Sequence, residues 1–373
     1  MLDTDTADHS SPHHSGAMIL YSEAIVFDPH DYSFSHRDNS LMNSNLFAQA
    51  IQYHDQEIEL DPKSTLALFN RGNAFLKENH LEQAVRDFTQ AIALDASQVE
   101  AFNNRGIALI KYHQLAQAIG DLNRSIALQP TYEAAFNNRG VAYLLQNQLE
   151  NSINDFSQAI ALYATVPDVL VNRGIAFMKL NRLDRAIDDF NQAIELFSES
   201  IEAFINRGFA HLNKNQLDRA IDDFNQAIAI NGNDGRGWLG RGMARARHQE
   251  YLQQAKRDFA RAQYLLSEQI SSNPPNAWLR LHNAQAHRCL ALLSPAGIRA
   301  ALLDQASSEL VQAQVLNPAF LETSIERGLV RVLSGFIDHS WENFEVVTAS
   351  IPQRTCLSAE SFVLPLADCR RRL

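Results

Sequence analysis

Five asparagines stand 34 residues apart: Asn70, Asn104, Asn138, Asn172 and Asn206. A side-chain amide carries donors and an acceptor together, so such a row can pair with a peptide main chain whatever its sequence. An arginine follows each asparagine, at Arg71, Arg105, Arg139, Arg173 and Arg207, and Arg241 continues the row. Aspartates recur at the same period: Asp87, Asp121, Asp155, Asp189, Asp223 and then Asp258. A partly buried charge needs a partner, so we expect an arginine–aspartate ladder between helices, structural in role. The alternative is that both rows face water. A third row is apolar, at Ile107, Val141, Ile175, Phe209 and Met243, and a fourth lies three residues further on, at Ile110, Leu144, Met178, Leu212 and Ala246. The fourth row can pack into a neighbouring helix. The third should remain partly exposed, and contiguous exposed apolar surface tends to mark a binding site.

Other chemistry-bearing patterns are weaker. Gly235-Arg-Gly237-Trp-Leu-Gly240 fits GxGxxG. A dinucleotide site needs a strand before it and a βαβ unit around it, whereas here helix is expected on both sides. The NGNDG at 231–235 resembles a calcium loop, but its glycine comes one place early and no glutamate closes it. His9, His13 and His14 lie in a polar stretch that reads as a solvated tail. No GxSxG, HExxH or GxxxxGK[ST] occurs. We therefore expect no catalytic residues, no metal site, no cofactor and no enzyme activity. Three cysteines, Cys289, Cys356 and Cys369, without CxxC suit a reducing compartment and a cytoplasmic location. A net charge of −11 argues against nucleic acid as partner, and no apolar run is long enough for membrane insertion. Residues 236–261 run against the acidic trend, with seven basic and two acidic residues. That stretch could receive an acidic segment, or form a solvated face laced with salt bridges.

The elements that must position these rows follow from the period itself. Gly72, Gly106, Gly140, Gly174, Gly208 and Gly242 share the 34-residue spacing. A small residue, a large apolar one and another small one follow each, as at Ala186, Phe190 and Ala193. Spacings of three and four put them on one helix face, and glycine inside a helix costs about 1 kcal/mol, so it needs a packing reason. Two antiparallel helices of about a dozen residues each, with short turns, fill the period. At these residues the chain resembles the tetratricopeptide repeat (TPR) family. Pro62 and Pro130 stand where that family places its terminal proline. The resemblance implies an all-α solenoid of antiparallel helix pairs forming a right-handed superhelix, with about nine pairs. We expect a disordered tail at 1–17 and a degenerate capping repeat at 18–64, with one helix over Met18–Phe27. Six repeats should follow at 65–269, the sixth with one extra residue in its inner turn. Two divergent repeats are expected at 270–354, the first with a long inter-helix loop, SPAGIRAALLD. A capping tail at 355–373 contains FVLPLA and Arg370–Arg372.

The resemblance also implies a site. In such arrays the asparagine position faces the concave surface, as in the asparagine ladder of the O-GlcNAc transferase superhelix, where amides hold an extended peptide. The plainer reading is that asparagine is the family's frequent choice there. The carboxylate clamp of heat-shock co-chaperones needs basic residues where Phe69, Ala134 and Asn138 stand; only Asn73 and Asn104 fit, which argues against heat-shock C-terminal peptides. We expect a non-enzymatic scaffold or adaptor holding a peptide or helical segment of a partner protein. Asn70, Asn104, Asn138, Asn172 and Asn206 would be the polar rail, with Ile107, Val141, Ile175 and Phe209 as apolar contacts. The alternatives are a self-associating assembly component and a regulatory subunit of an enzyme on another chain.

Overall fold

The computed structural model describes residues 47–163, 167–272, 276–316 and 321–334. The expectations for 1–46, for the divergent repeats beyond residue 334, and for FVLPLA and Arg370–Arg372 lie outside the described residues. Sixteen α-helices follow one another, and the described residues contain no strand. The first compact unit runs to Asn138. It holds α1 (Phe47–Leu60), α2 (Thr65–Lys77), α3 (Leu81–Leu94), α4 (Val99–Lys111), α5 (Leu115–Leu128) and the opening of α6 (Glu133–Leu145). The second begins at Arg139. It holds the rest of α6, α7 (Leu149–Leu162), α8 (Pro167–Lys179), α9 (Leu183–Leu196), α10 (Ile201–Asn213) and α11 (Leu217–Ile230). Then come α12 (Gly235–Ala246), α13 (Leu252–Ser272), α14 (Ala277–Leu292), α15 (Ala296–Leu316) and α16 (Leu321–Leu333). Even-numbered helices open the repeats, and odd-numbered ones close them.

Local chemistry sets the boundaries. Ser64 and Ser200 cap α2 and α10, each accepting through Oγ from the N–H three residues on. The inner turn of each regular repeat ends its first helix with a left-handed residue: Asn79, His113, Asn147, Asn181 and Asn215, at φ of 57–61°. Asn79 N–H donates to Leu76 O and His80 N–H to Phe75 O. That pair satisfies carbonyls the helix would otherwise leave open, and the other four turns repeat it. The extra residue of the sixth repeat replaces this turn with a single 3-10 turn, Gln249–Tyr251.

The recurring glycines have the packing reason the sequence demanded. A Cβ on Gly174 would lie 2.5 Å from Phe190 Cε1, and Gly72, Gly140 and Gly208 meet Phe88, Phe156 and Phe224 in the same way. These phenylalanines are completely buried. Each ring fills the space that its glycine leaves, which locks the two helices of a repeat together. Gly235-Arg-Gly237-Trp-Leu-Gly240 opens α12 and is helical throughout.

One expectation is corrected. SPAGIRAALLD is not a long loop: only Leu293–Pro295 separate α14 from α15, and the inserted residues extend α15 to 21 residues. Ala, Ile, Arg and Leu after a proline start a helix more readily than they hold a loop open. The closing helix of the sixth repeat, α13, is lengthened to the same 21 residues, against 14 in the regular repeats.

Candidate functional site

The charged rows form the ladder. Arg71 donates to Asp87 through Nε at 2.7 Å and Nη2 at 2.8 Å, a two-pronged pairing of opening and closing helix. Arg105 grips Asp121 in this way in the first unit. Arg139 holds Asp155, Arg173 Asp189, Arg207 Asp223 and Arg241 Asp258 in the second. A third bond leaves Nη1 of Arg71, Arg105, Arg173, Arg207 and Arg241 for the closing helix of the preceding repeat, to Asp55, Thr89, Ser157, Asn191 and Asn225 in turn. Burial pushes the carboxyls of Asp189 and Asp223 up, against the pull of Arg173 and Arg207. Each guanidinium also lies 4.6–6.0 Å from an aromatic ring centroid of its own helix, such as Phe177 for Arg173 and Trp238 for Arg241.

The ladder fixes the direction of every opening helix. Its arginine and glycine meet the closing helix of their own repeat, while the asparagine position faces the closing helix of the repeat before, as Gly240 on α12 faces Phe224 on α11. Asn172 and Ile175 on α8, and Asn206 and Phe209 on α10, were expected to line one open face. That face is enclosed: none of Asn70, Asn104, Asn138, Asn172, Asn206, Ile107, Val141, Ile175 and Phe209 is more than 7% exposed. The expectation of a partly exposed apolar row does not hold. Phe209 has turned its ring edge to Phe224, with centroids 5.1 Å apart. A Cβ on Gly240 would lie 2.3 Å from that Phe224 ring. This explains why glycine stands where the sixth repeat would carry its asparagine.

In the first unit the amides bind one another. Asn137 Nδ2 donates to Asn138 Oδ1 at 3.5 Å, Asn138 to Asn103 at 2.9 Å, Asn103 to Asn104 at 2.9 Å, and Asn104 to Asn73 at 2.9 Å. Five buried side chains on α6, α4 and α2 make one directed chain. It ends at Asn73 Nδ2, which is enclosed without an acceptor; one turn earlier Asn70 Oδ1 is enclosed without a donor. Asn73 and Asn104, the two residues that fit the heat-shock clamp, are spent on each other here. The sequence reading used Asn104 and Asn138 but missed Asn103 and Asn137 beside them. The signal was the doubled asparagine at 103–104 and 137–138.

In the second unit the same face is apolar around Asn172 and Asn206. Asn206 Nδ2 donates to its own helix at Glu202 O (3.0 Å), and Oδ1 is enclosed without a donor. Next to it Arg236 is 8% exposed and held by Asp234 and Glu202. Asp234 also caps α12, accepting from the Arg236 N–H. Burial lowers His282, beside this cluster, to about 4. The sequence reading had placed Arg236, Arg241 and Arg245 in a basic patch. They are internal: Arg241 and Arg245 share Asp258, and only Arg247, Arg257 and Arg261 of that stretch's arginines are exposed. Among the described residues no group of histidine, cysteine, aspartate and glutamate could hold a metal ion, and no helix is long and apolar enough to cross a membrane.

Comparison with known proteins decides the family. Models of the tetratricopeptide repeat match residues 133–165, 167–200 and 201–234, and a TPR repeat model matches 72–111, each in step with the helix pairs above. These residues form tetratricopeptide repeats. Among solved structures, the TPR-containing chain matches the anaphase-promoting-complex assembly Cut9–Hcn1 at 14% identity and a TM-score of 0.51, over 79% of this chain and 54% of the other. It matches YrrB, described as a TPR protein with an unusual peptide-binding site, at 19% identity and 0.41, over 49% and 95%. A tetratricopeptide repeat protein from Parabacteroides merdae matches at 15% and 0.43, over 71% and 95%. No curated protein matches the chain. TPR proteins are in general protein-interaction scaffolds that bind protein or peptide partners, and this array has that general character.

Proposed function

We propose that this array is a non-enzymatic adaptor that holds an extended segment of a partner protein against the asparagine-bearing face of its opening helices, which is enclosed in the free chain and opens to receive it. The observation that carries this reading is the end of the amide chain. Asn73 Nδ2 is a donor and Asn70 Oδ1 an acceptor, both on one face of α2 and both unsatisfied. A peptide unit offers the complementary pair, a C=O and an N–H, so a main chain lying along α2 would satisfy both without reading a side chain. Within the first unit Asn104 and Asn138 continue that polar line beside Ile107, and within the second Asn172 and Asn206 form the corresponding row beside Val141, Ile175 and Phe209. Asn104 and Asn138 also hold the array together, so replacing them would confuse folding with binding. Asn70 and Asn73 are the better test. Peptides selected from a random display library against the full chain should bind Asn70→Ala/Asn73→Ala at least tenfold more weakly, since each lost hydrogen bond costs on the order of 1 kcal/mol. A Leu66→Ala control on the same helix should not show that loss. Unchanged affinity in the double variant, with helicity preserved, would remove α2 from the site.

A further inference from the structure

The closing helices of the regular repeats all end on a residue in the same extended conformation. Asp95, Gln129, Tyr163, Phe197 and Asn231 lie at φ of −135 to −143° and ψ of 91–101°. The backbone therefore does not ask for an aromatic side chain there. Two of the polar residues serve the turn instead: Asp95 accepts from the Ser97 N–H at 2.9 Å, and Asn231 from the Asn233 N–H at 3.0 Å. Tyr163 and Phe197, both in the second unit, give that bond up. The core does not need them either, since they stay 46% and 42% exposed. The leucine before each, Leu162 or Leu196, is exposed as well, but its row continues in other repeats as Leu94 and Ile230. The aromatic pair is what sets this place apart. Helices α7 and α9 both pack on α8 and run in the same direction, so their ends stand one repeat apart on one edge.

We propose that this edge of the second unit is a docking surface, separate from the asparagine face, for a partner segment in which lysine or arginine alternates with aliphatic residues. Four large apolar side chains at matching places in successive repeats are more than the single exposed residues of an ordinary surface. Charge names the partner. Residues 158–171 and 192–202, which run into and out of these two turns, contain Asp168, Glu195, Glu199 and Glu202 and no lysine or arginine. Glu202 is held by Arg236, while Glu195 and Glu199 are exposed, two residues to either side of Phe197. An aliphatic side chain of the partner can cover Leu162 and Leu196, and its cation can meet an aromatic face or a carboxylate. A second copy of this chain is a poorer match. The basic residues of the same helix pairs stand at the opposite ends of the helices and are engaged there: Arg182 with Glu150, Lys214 with Asp184, and Arg185 over the Phe177 ring. Two copies of a chain at −11 also repel.

The test titrates the full chain by fluorescence anisotropy with a short fluorescein-labelled peptide alternating lysine and leucine, with its glutamate–leucine counterpart and with its lysine–serine counterpart. The lysine–leucine peptide should bind about tenfold more tightly than either. Tyr163→Gln/Phe197→Asn takes its side chains from the equivalent turns at Gln129 and Asn231, so it should keep parental helicity and lose about tenfold in affinity for that peptide. Glu195→Lys/Glu199→Lys should lose as much. Lysine–leucine binding that is absent in the parent, or unchanged in either variant, would overturn the proposal. So would equal binding of the lysine–serine peptide, which reduces the contact to charge, or of the glutamate–leucine peptide, which reduces it to apolar surface. A parent mass that rises with concentration in sedimentation, but not in the aromatic variant, would give the edge to a second copy and overturn it too. Asn70→Ala/Asn73→Ala should bind the lysine–leucine peptide as the parent does; a loss there would move that peptide to α2 and sink the separate surface.

Discussion

The two units share one outer architecture and differ at one inner position of all but the first repeat. Three residues before the repeat glycine, the first unit has Phe69 and then Asn103 and Asn137, and the second has Val171, Ile205 and Leu239, all buried. Where the first unit joins its opening helices by amide hydrogen bonds, the second joins them by apolar packing. Hydrogen bonds are directional and are lost outright when one partner leaves, whereas packing is tolerant of direction but intolerant of a lone polar group. The same backbone position therefore obeys opposite substitution rules in the two units.

The sharpest way to break that contrast is a reciprocal exchange. Val171→Asn gives up valine burial and encloses an unpartnered amide, at a cost of about 4 kcal/mol. Asn103→Val removes the partner of Asn104 Oδ1 and Asn138 Nδ2 and should cost about 2 kcal/mol. Urea unfolding followed by circular dichroism measures both, and equal losses would dissolve the distinction. The next effect should not distinguish the units. Arg71→Ala and Arg173→Ala each strand an aspartate whose side chain is only 6% or 4% exposed, and both should cost about 3 kcal/mol. Peptide affinity should stay at the parental value in each. A large difference between the two variants would mean that the ladder is not a common frame.

Acid separates the units again. His282 is buried in the second unit, and its folded pKa, about 4, lies below its ordinary 6.5. A base whose pKa is depressed by folding contributes stability above its unfolded pKa, and that stability is lost as pH falls from about 6.5 towards 4. His211 and His287 are lowered as well, also first by burial, and act in the same direction. The loss from His282 should amount to about 2–3 kcal/mol and should disappear in His282→Gln. Hydrogen exchange across that pH range would locate it in α14, and a pH dependence unchanged in the variant would refute the assignment. The smallest effects lie at the inner turns. Asn79→Gly and Asn181→Gly should each raise stability by about 0.5 kcal/mol, because glycine adopts φ near 60° without a Cβ penalty. Alanine at either place should lower it by about 1 kcal/mol. Equal shifts in both units would confirm that the turn, unlike the inner face, is one design.

Features that recur at the 34-residue period were legible in the sequence: the helix pairs, the glycine–phenylalanine contacts and the arginine–aspartate ladder. Each is fixed by neighbours one repeat away, so the pattern repeats wherever the structure does. The enclosed face was not legible. The neighbouring repeat covers the asparagine position, as Phe224 covers Gly240, and the period marks that position without reporting how closely the neighbour approaches. The helical insertion in α15 was missed for a different reason. The eleven residues SPAGIRAALLD break the 34-residue period, and a broken period does not say whether the insertion is loop or helix. The Arg236 cluster was hidden because its partner Asp234 belongs to the turn, while the charge count treated the arginine as surface.

The third bond of Arg71, Arg105, Arg173, Arg207 and Arg241 makes one modest demand. Its Nη1 finds a carboxylate at Asp55, hydroxyls at Thr89 and Ser157, and amides at Asn191 and Asn225. Any short side chain that ends in oxygen serves, so one joint is chemically equivalent to the next. A gene encoding such a tract can gain or lose a whole period by recombination, and the new neighbours still meet through an arginine and an oxygen. The joints are thus interchangeable, while the inner faces, with amides at Asn103 and Asn137 and apolar residues at Val171 and Ile205, are not.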